Sequence, residues 1–180
     1  MQTPTNKMEL RQRLISARRN MSADTKAVAD ARISQRLSDW LDLHQPASLG
    51  AYIAMSSEPE LITLYETLSS RGITLAMPVV LEKNQALIYV RWQPGELLAR
   101  DASGTMAPAQ HEHALQPAVV LAPCVGFNDE GFRLGYGGGY FDRTLAQKPR
   151  PTAIGVAYAI TRTQFAAEAH DIPLDLIITD

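Results

Sequence analysis

Residues 132–143, FRLGYGGGYFDR, combine four glycines with two arginines and an aspartate. Glycine loses the most chain entropy on folding, so such a concentration needs a reason. Without side chains in the way, the backbone N–H groups of such a segment can converge on one point. The segment lies between an apolar stretch and a predicted helix, whose first N–H groups and dipole favour anions. The pattern therefore favours a phosphate site, to which Arg133 can add a bidentate charge.

The same segment differs from the common nucleotide-binding motifs. A P-loop has a Lys-Ser/Thr pair after its last glycine, whereas Tyr140 and Phe141 follow Gly139 here. A dinucleotide fingerprint that begins at Gly135 needs glycine at position 140. A tight, glycine-rich turn without a ligand is therefore the alternative to a phosphate site.

A second concentration of charge lies near the N-terminus. Eight of the 17 Lys and Arg residues fall within the first 36 positions. At about 100° per residue, Lys7, Arg11 and Arg18 project along one line of a helix, beside an apolar stripe with Leu10 and Leu14. Cations in that position can border a cleft. A solvated basic face is the alternative, and a nucleic-acid surface is a weaker one because no recognised motif accompanies it.

The surrounding pattern predicts the elements that position these residues. Helical spacing of apolar residues predicts a helix over 7–21, and Ser22 can cap a second one that ends near Leu43, with Val28, Leu37 and Leu41 buried. Further helices are predicted at 58–70 (Pro59 in its first turn), 140–147 and 161–170. Strands are predicted at 48–55, 73–80, 86–92, 118–127, 152–158 and 174–179, and an irregular segment at 93–117. The alternation predicts a single three-layer α/β domain over residues 1–180, with a mainly parallel sheet flanked by helices.

Composition excludes several classes of protein. Hydrophobic residues make up 46% and charged residues 20% of the chain, as in ordinary globular proteins. The net charge of −2 argues against a nucleic-acid coat protein. The single cysteine, Cys124, excludes an internal disulfide and a cysteine-based zinc site. No apolar run reaches the roughly 18 residues of a membrane span, and the polar start lacks a signal peptide, so we expect a cytoplasmic protein.

With Gly131 included, the glycine-rich segment resembles the Gly-x-Arg-Leu-Gly-x-Gly-x-Gly-Tyr-Tyr-Asp-Arg signature of the 5-formyltetrahydrofolate cyclo-ligase (methenyltetrahydrofolate synthetase) family. KMELR and RQRLISARRNMS are similar to the family's opening helix, YIAMSSEPEL to its strand and substrate-contacting glutamate, and HDIPLDLIIT to its closing segment. The resemblance implies an ATP- and Mg²⁺-dependent enzyme. It would convert 5-formyltetrahydrofolate, including polyglutamylated forms, to 5,10-methenyltetrahydrofolate, ADP and phosphate. We expect a monomer or weak homo-oligomer without nucleic-acid or membrane partners.

The resemblance also implies a role for individual residues. Nucleotide contacts are implied for Lys7, Arg11, Arg133, Leu134, Gly135, Tyr136, Gly137, Gly138, Gly139 and Tyr140. Folate contacts are implied for Ile53, Glu58, Tyr136, Gly137, Gly138, Gly139 and Tyr140. Arg133 and Tyr140 are the implied catalytic residues, and Asp142 and Asp171 the implied metal ligands.

Taken singly, four of these residues have structural alternatives. Glu58 and Asp142 can be charges favoured by a helix N-terminus. Tyr140 can be a core side chain, and Asp171 can cap a turn.

The sequence departs from the family pattern at four places. Phe141 replaces the usual second tyrosine, Gly138 stands where some members carry lysine, and Asn128 stands where aspartate is common. Ala107 precedes Pro108 in place of a frequent glutamate, a change that bears on the shape of the folate pocket. A non-catalytic folate- or nucleotide-binding protein on the same scaffold is the alternative function. The retained arginine and carboxylates of the signature favour the enzyme.

Overall fold

The computed structural model describes residues 6–55 and 57–180. The helices are α1 (Lys7–Arg19), α2 (Ala23–His44), α3 (Ile62–Ser70) and α4 (Tyr140–Leu145), with one 3₁₀ turn at Ala159–Thr161. The strands are β1 (Ser48–Gly50), β2 (Thr74–Val79), β3 (Ile88–Arg91), β4 (Leu98–Arg100), β5 (Met106–Pro108), β6 (Ala114–Leu115), β7 (Val119–Pro123), β8 (Gly126–Phe127), β9 (Arg133–Leu134), β10 (Thr152–Val156) and β11 (Leu176–Ile178). Within the described residues, no helix is both long and apolar enough to cross a membrane.

Seven strands form the central sheet, in the order β11-β10-β7-β1-β2-β3-β6. The pairs from β11 to β2 are parallel, whereas β3 and β6 add two antiparallel strands at one edge. Strands β4 and β5 form a separate hairpin, and so do β8 and β9. The predicted α/β class with a mainly parallel sheet is therefore confirmed.

Side chains that alternate along the strands fill two cores on opposite faces of the sheet. In β7, Leu121 faces the core that α2 and α3 cover, whereas Val120 and Ala122 face the core that contains Leu145 of α4. In β2, Leu75 and Ala76 divide in the same way between the two cores. Helices thus cover both faces, which gives the predicted three layers.

Helices α1 and α2 begin where the sequence predicts. The Asn6 side chain accepts a hydrogen bond from the Met8 N–H, and the Ser22 side chain accepts one from the Thr25 N–H. The buried stripe of α2 consists of Ala29, Ile33, Leu37 and Leu41. The prediction that Val28 is buried was wrong, because nine residues separate it from Leu37 and about 100° per residue places it on the opposite side.

Three predicted elements are longer than the elements that the structure shows. The strand predicted at 48–55 ends at Gly50, and Pro59 precedes α3 instead of lying in its first turn. The strand predicted at 118–127 is divided into β7 and β8. In each case the chain leaves the sheet or starts its helix next to the cavity described below.

Two segments have a different structure from the one predicted. Residues 161–170 do not form a helix, because the Thr163 N–H donates to the Phe127 carbonyl and the Phe165 carbonyl accepts from the Asn128 side chain. Residues 93–117 are not irregular throughout, since they contain β4, β5 and β6. The Asp101 side chain accepts hydrogen bonds from the Ser103 and Thr105 N–H groups and closes the β4–β5 hairpin.

Gly50 allows the ring of Tyr89 to cross β1. A Cβ atom at position 50 would lie 2.6 Å from Tyr89 Cε1 and 3.0 Å from Val120 Cγ1. We expect Gly50→Ala to lower the free energy of unfolding by about 1–3 kcal/mol, because the enclosed ring has no room to move. Urea denaturation followed by circular dichroism measures the change. Adding Tyr89→Leu should cost less than the sum of the two single changes, and strict additivity would contradict the steric explanation.

Candidate active site

The candidate site lies at the carboxyl ends of β1, β7 and β10, which meet at one edge because these strands are parallel. A cavity of about 420 Å³ opens there. All the residues predicted to contact nucleotide, folate or metal line it: Lys7, Arg11, Ile53, Glu58, Arg133, Leu134, Gly135, Tyr136, Gly137, Gly138, Gly139, Tyr140, Asp142 and Asp171. The structure thus brings the whole predicted set together, while the individual contacts stay predictions.

The glycine loop, residues 135–139, joins the β8–β9 hairpin to α4. Gly137 has φ of 99° and Gly139 has φ of 64°, a region that side chains with a Cβ atom rarely adopt. The loop turns twice within three residues for this reason and then enters α4. Since α4 has only six residues, its dipole contributes less to anion binding than the predicted helix over 140–147 suggests.

Helix α1 attaches its basic residues to the loops around the cavity. The Arg11 Nε–H donates to the Gly135 carbonyl at 2.7 Å. The Lys7 ammonium lies 2.8 Å from the Glu168 carboxylate and 2.9 Å from that of Asp171. Both cations border the cavity, as their position beside the apolar stripe predicts.

Arg133 is held between an aromatic ring and a carboxylate. Its Nη2 lies 3.0 Å from Asp142 Oδ2, and its guanidinium carbon lies 4.9 Å from the centre of the Phe141 ring. Its side chain is only 6% exposed, and its Nε atom has no hydrogen-bond partner among the described residues. Phe141 therefore keeps the stacking surface of the family's tyrosine without its hydroxyl, and the arginine lines the cavity.

The two predicted metal ligands lie close together. Asp142 Oδ1 accepts a hydrogen bond from the N–H of Ile172, the neighbour of Asp171. Although burial opposes the shift, the Glu168 N–H and the Lys7 ammonium hold the pKa of Asp171 below its usual value. Asp171 is therefore an anionic oxygen donor at neutral pH, and the side chain of Asp142 supplies further oxygen atoms beside it.

The donor set suits one particular kind of metal site. Among residues 6–55 and 57–180, no group of three or more His, Cys, Asp or Glu side chains is arranged to hold a metal ion. Two carboxylates at one cavity do fit Mg²⁺, which takes few protein ligands and completes its octahedron with phosphate and water. The ligand pair Asp142 and Asp171 stays a prediction.

Glu58 is a buried carboxylate that also lines the cavity, and it is 1% exposed. Its Oε2 accepts from the Met55 N–H at 2.8 Å, and its Oε1 accepts from the Tyr136 hydroxyl at 2.7 Å. Burial raises the pKa of Glu58, while these two hydrogen bonds and the charge of Arg18 oppose the rise. Burial and the charge of Glu58 raise the pKa of Tyr136 to about 12, so the phenol stays protonated as a donor.

Sequence reasoning missed part of the cavity wall. The turn of the β4–β5 hairpin contributes Asp101, Ser103, Thr105 and Met106, and the 162–175 loop contributes Glu168 and His170. The Asp-Ala-Ser-Gly run at 101–104 is a turn signal that predicts a hairpin here. Ala107, the departure before Pro108, lies instead in a small core with Val79 and Val90 and does not line the cavity.

Comparisons with known proteins agree with this geometry. The model of the 5-formyltetrahydrofolate cyclo-ligase family matches residues 3–180. The chain is 30% identical over 179 residues to a 5-formyltetrahydrofolate cyclo-ligase of Mycoplasma pneumoniae, covering 97% of this chain and 99% of the relative. It is 29% identical over 195 residues to that of Mycolicibacterium smegmatis, covering 98% and 95%.

Solved structures show the same fold. A 5,10-methenyltetrahydrofolate synthetase from Mycoplasma pneumoniae superposes with a TM-score of 0.81 at 26% identity, covering 98% of this chain and 99% of that one. The synthetase from Aquifex aeolicus gives a TM-score of 0.80 at 26% identity, covering 96% and 88%. The match over nearly the whole chain, in sequence and in fold, shows that this protein belongs to the 5-formyltetrahydrofolate cyclo-ligase family, whose members are ligases.

Proposed function

We propose that the protein uses ATP and Mg²⁺ to convert 5-formyltetrahydrofolate to 5,10-methenyltetrahydrofolate, with release of ADP and phosphate. One observation carries the proposal: a single cavity joins the glycine loop and its cations to the buried Glu58. Its volume of about 420 Å³ lies in the range of small-molecule sites. A folate and the end of a nucleotide can therefore meet inside it.

The chemistry explains why two substrates must meet. The formyl oxygen on N5 is a poor leaving group. When it attacks the γ-phosphate of ATP, ADP departs and an iminium phosphate forms. N10 then attacks the formyl carbon and loses its proton, and phosphate leaves with the former formyl oxygen. The enzyme has to align the formyl oxygen with the γ-phosphate and to neutralise the charge that develops there.

The charged residues around the glycine loop suit the phosphate end. Arg133 lines the cavity beside the loop and is largely buried, so its guanidinium can donate to a phosphoryl oxygen in a setting of low dielectric. Lys7 and Arg11 lie on the α1 side of the loop, where they can contact the nucleotide. Tyr140, the first residue of α4, lines the cavity beside the glycine loop and is the residue proposed to contact both substrates.

The part of the cavity around Glu58 suits the folate. Glu58 has two carboxylate oxygens fixed by Met55 and Tyr136, and their remaining lone pairs can accept hydrogen bonds from N–H groups of the pterin ring. Ile53, Val80 and Leu87 supply apolar surface for the ring itself.

Asp142 and Asp171 would hold Mg²⁺ together with the phosphates of ATP. When bound, the ion would neutralise charge on the phosphoryl oxygens. Arg133 and Lys7, the present partners of the two carboxylates, would then be free to contact phosphate. The cytoplasmic location and the monomeric or weakly associated state stay predictions.

The first test concerns coupling between the substrates. Because the formyl oxygen is the proposed acceptor, phosphate release from Mg-ATP should require 5-formyltetrahydrofolate, and methenyl product should appear in equal amount. Phosphate release and product absorbance, measured with and without folate, check this. ATP hydrolysis that is equally fast without folate would overturn the mechanism. Tight binding of both ligands without product would favour the non-catalytic alternative.

The second test concerns Arg133. We expect Arg133→Ala to lower kcat/KM by an amount equivalent to about 2–4 kcal/mol, the usual scale for a charge contact in the transition state. Steady-state kinetics and thermal denaturation are measured together. Arg162→Ala is the matched control, because this arginine also pairs with an aspartate, Asp129, but on the exposed surface. Normal kinetics with a large loss of stability in Arg133→Ala would show that Arg133 has only a structural role.

The third test concerns the metal ligands. Asp142→Asn and Asp171→Asn should each lower kcat steeply and raise the Mg²⁺ concentration needed for half-maximal activity, because an amide oxygen carries no charge. If Asp142 only holds Arg133 and the Ile172 N–H in place, its Asn variant should keep a normal Mg²⁺ requirement, since an amide oxygen still accepts hydrogen bonds. Titration of Mg²⁺ against activity decides, with Asp129→Asn as the surface control. Normal Mg²⁺ dependence in both variants would show that the ligands were assigned wrongly.

A further inference from the structure

Arg18 of α1 is a buried arginine with an unusual set of partners. It is 2% exposed, and it lies on the same line of the helix as Lys7 and Arg11. Its Nη1 donates to the Cys124 carbonyl at 3.2 Å and its Nη2 donates to the Tyr136 hydroxyl at 2.8 Å. Among the carboxylates of residues 6–55 and 57–180, none forms a direct ion pair with it. A buried charge without a direct counter-ion is costly, so its position needs an explanation.

The explanation lies one hydrogen bond further on. The Tyr136 hydroxyl accepts from Arg18 and donates to Glu58 Oε1 at 2.7 Å. The guanidinium carbon also lies 5.9 Å from the centre of the Tyr136 ring. A phenol that accepts from a cation is polarised and becomes a stronger donor to the carboxylate. Arg18, Tyr136 and Glu58 thus form a chain that joins α1, the glycine loop and the segment after β1.

We propose that Arg18 is a positioning residue, which orients the Tyr136 hydroxyl toward Glu58. It also supplies the positive charge near the buried Glu58 carboxylate, which has no directly bonded cation among the described residues. The inference rests on the proposed function, in which Glu58 accepts hydrogen bonds from the folate. Through Tyr136, the same contact attaches the glycine loop to Glu58. Arg18 touches neither substrate and acts through the two side chains that do.

The surroundings of Glu58 single out Arg18 as its source of positive charge. Five titratable or charged groups on the surrounding elements interact electrostatically with the Glu58 carboxylate. They are Arg18, Tyr52, Tyr65, Cys124 and Tyr136. Burial raises the pKa values of the three tyrosines and of Cys124, so all four are neutral near pH 7. Only Arg18 in this set is a cation. Its removal should raise the pKa of Glu58 further, so that the carboxyl is protonated at a higher pH.

The ligand-free protein gives the direct test. Side-chain carboxyl signals of ¹³C-labelled glutamate are followed by NMR through a pH titration, with Glu58→Gln to assign the signal. Arg18→Met, which keeps the length of the side chain without its charge, should raise the Glu58 midpoint by about one to two pH units. Arg19→Met, at the neighbouring exposed arginine, should leave the midpoint where it is in the unchanged protein. An unshifted midpoint in Arg18→Met would overturn the proposal, whatever the outcome for turnover.

A second variant guards against a misfolded Arg18→Met protein. Tyr136→Phe removes only the relaying hydroxyl at a residue that is 46% exposed, so the core is untouched. It should also raise the Glu58 midpoint, and the double variant should shift it by less than the sum. Strict additivity would show that no chain runs through Tyr136.

Kinetics add a readout that a structural role would not move. In Arg18→Met, the acid limb of kcat/KM for 5-formyltetrahydrofolate should move to higher pH by the same amount as the Glu58 midpoint. The KM for the folate should rise more than kcat falls, and Arg18→Lys should restore part of the loss because it returns the charge. An unmoved acid limb beside a shifted NMR midpoint would show that Glu58 does not bind the folate. That outcome would contradict the role of Glu58 in the proposed function. The electrostatic effect of Arg18 on Glu58 would still stand.

Discussion

Parallel pairing of β1 with β7 and of β7 with β10 is the constraint on which the candidate site depends. Each strand ends at the same edge, so the three segments that follow them have to share one space. The first carries Glu58, the second carries the glycine loop, and the third leads to Asp171. The hydrogen bond from Tyr136 to Glu58 then ties the first two segments together. A short sheet thereby organises residues that are more than a hundred positions apart in sequence.

Several of the charges around the cavity are already paired with one another. Arg133 pairs with Asp142, and Lys7 pairs with both Asp171 and Glu168. Desolvation of an unpaired ion costs several kcal/mol, and this arrangement avoids most of that cost. An anionic ligand therefore exchanges partners with the protein's own carboxylates. The affinity for phosphate alone should therefore be modest. A ligand that binds together with a cation should bind more tightly, because the cation can replace Arg133 and Lys7 as the partner of the carboxylates.

The candidate site could be predicted from local sequence patterns. The elements that were predicted wrongly depend on contacts with residues far away in the sequence. The glycine loop and the Ser22 cap of α2 depend on neighbouring residues, so their patterns predicted them. Val28 was misplaced because both faces of a long helix carry apolar residues. Residues 161–170 have helical composition, yet the Thr163 N–H and the Phe165 carbonyl bond to β8 and its neighbour Asn128 instead. No local pattern contains those partners, and the same holds for the role of Arg18.

Helix α1 and the β8–β9 hairpin share a small core of their own, formed by Leu10, Leu14, Val125 and Leu134. It is separate from the two larger cores on the sheet, and four side chains bury far less apolar area than those do. Phe127 of β8 packs in one of those larger cores, so α1 is the element that depends most on the small core. Helix α1 can therefore open at a lower free energy than global unfolding. Its amide protons should exchange with solvent while the strands are still protected. Ligands that span the cavity would slow this exchange first, because they join α1 to the sheet.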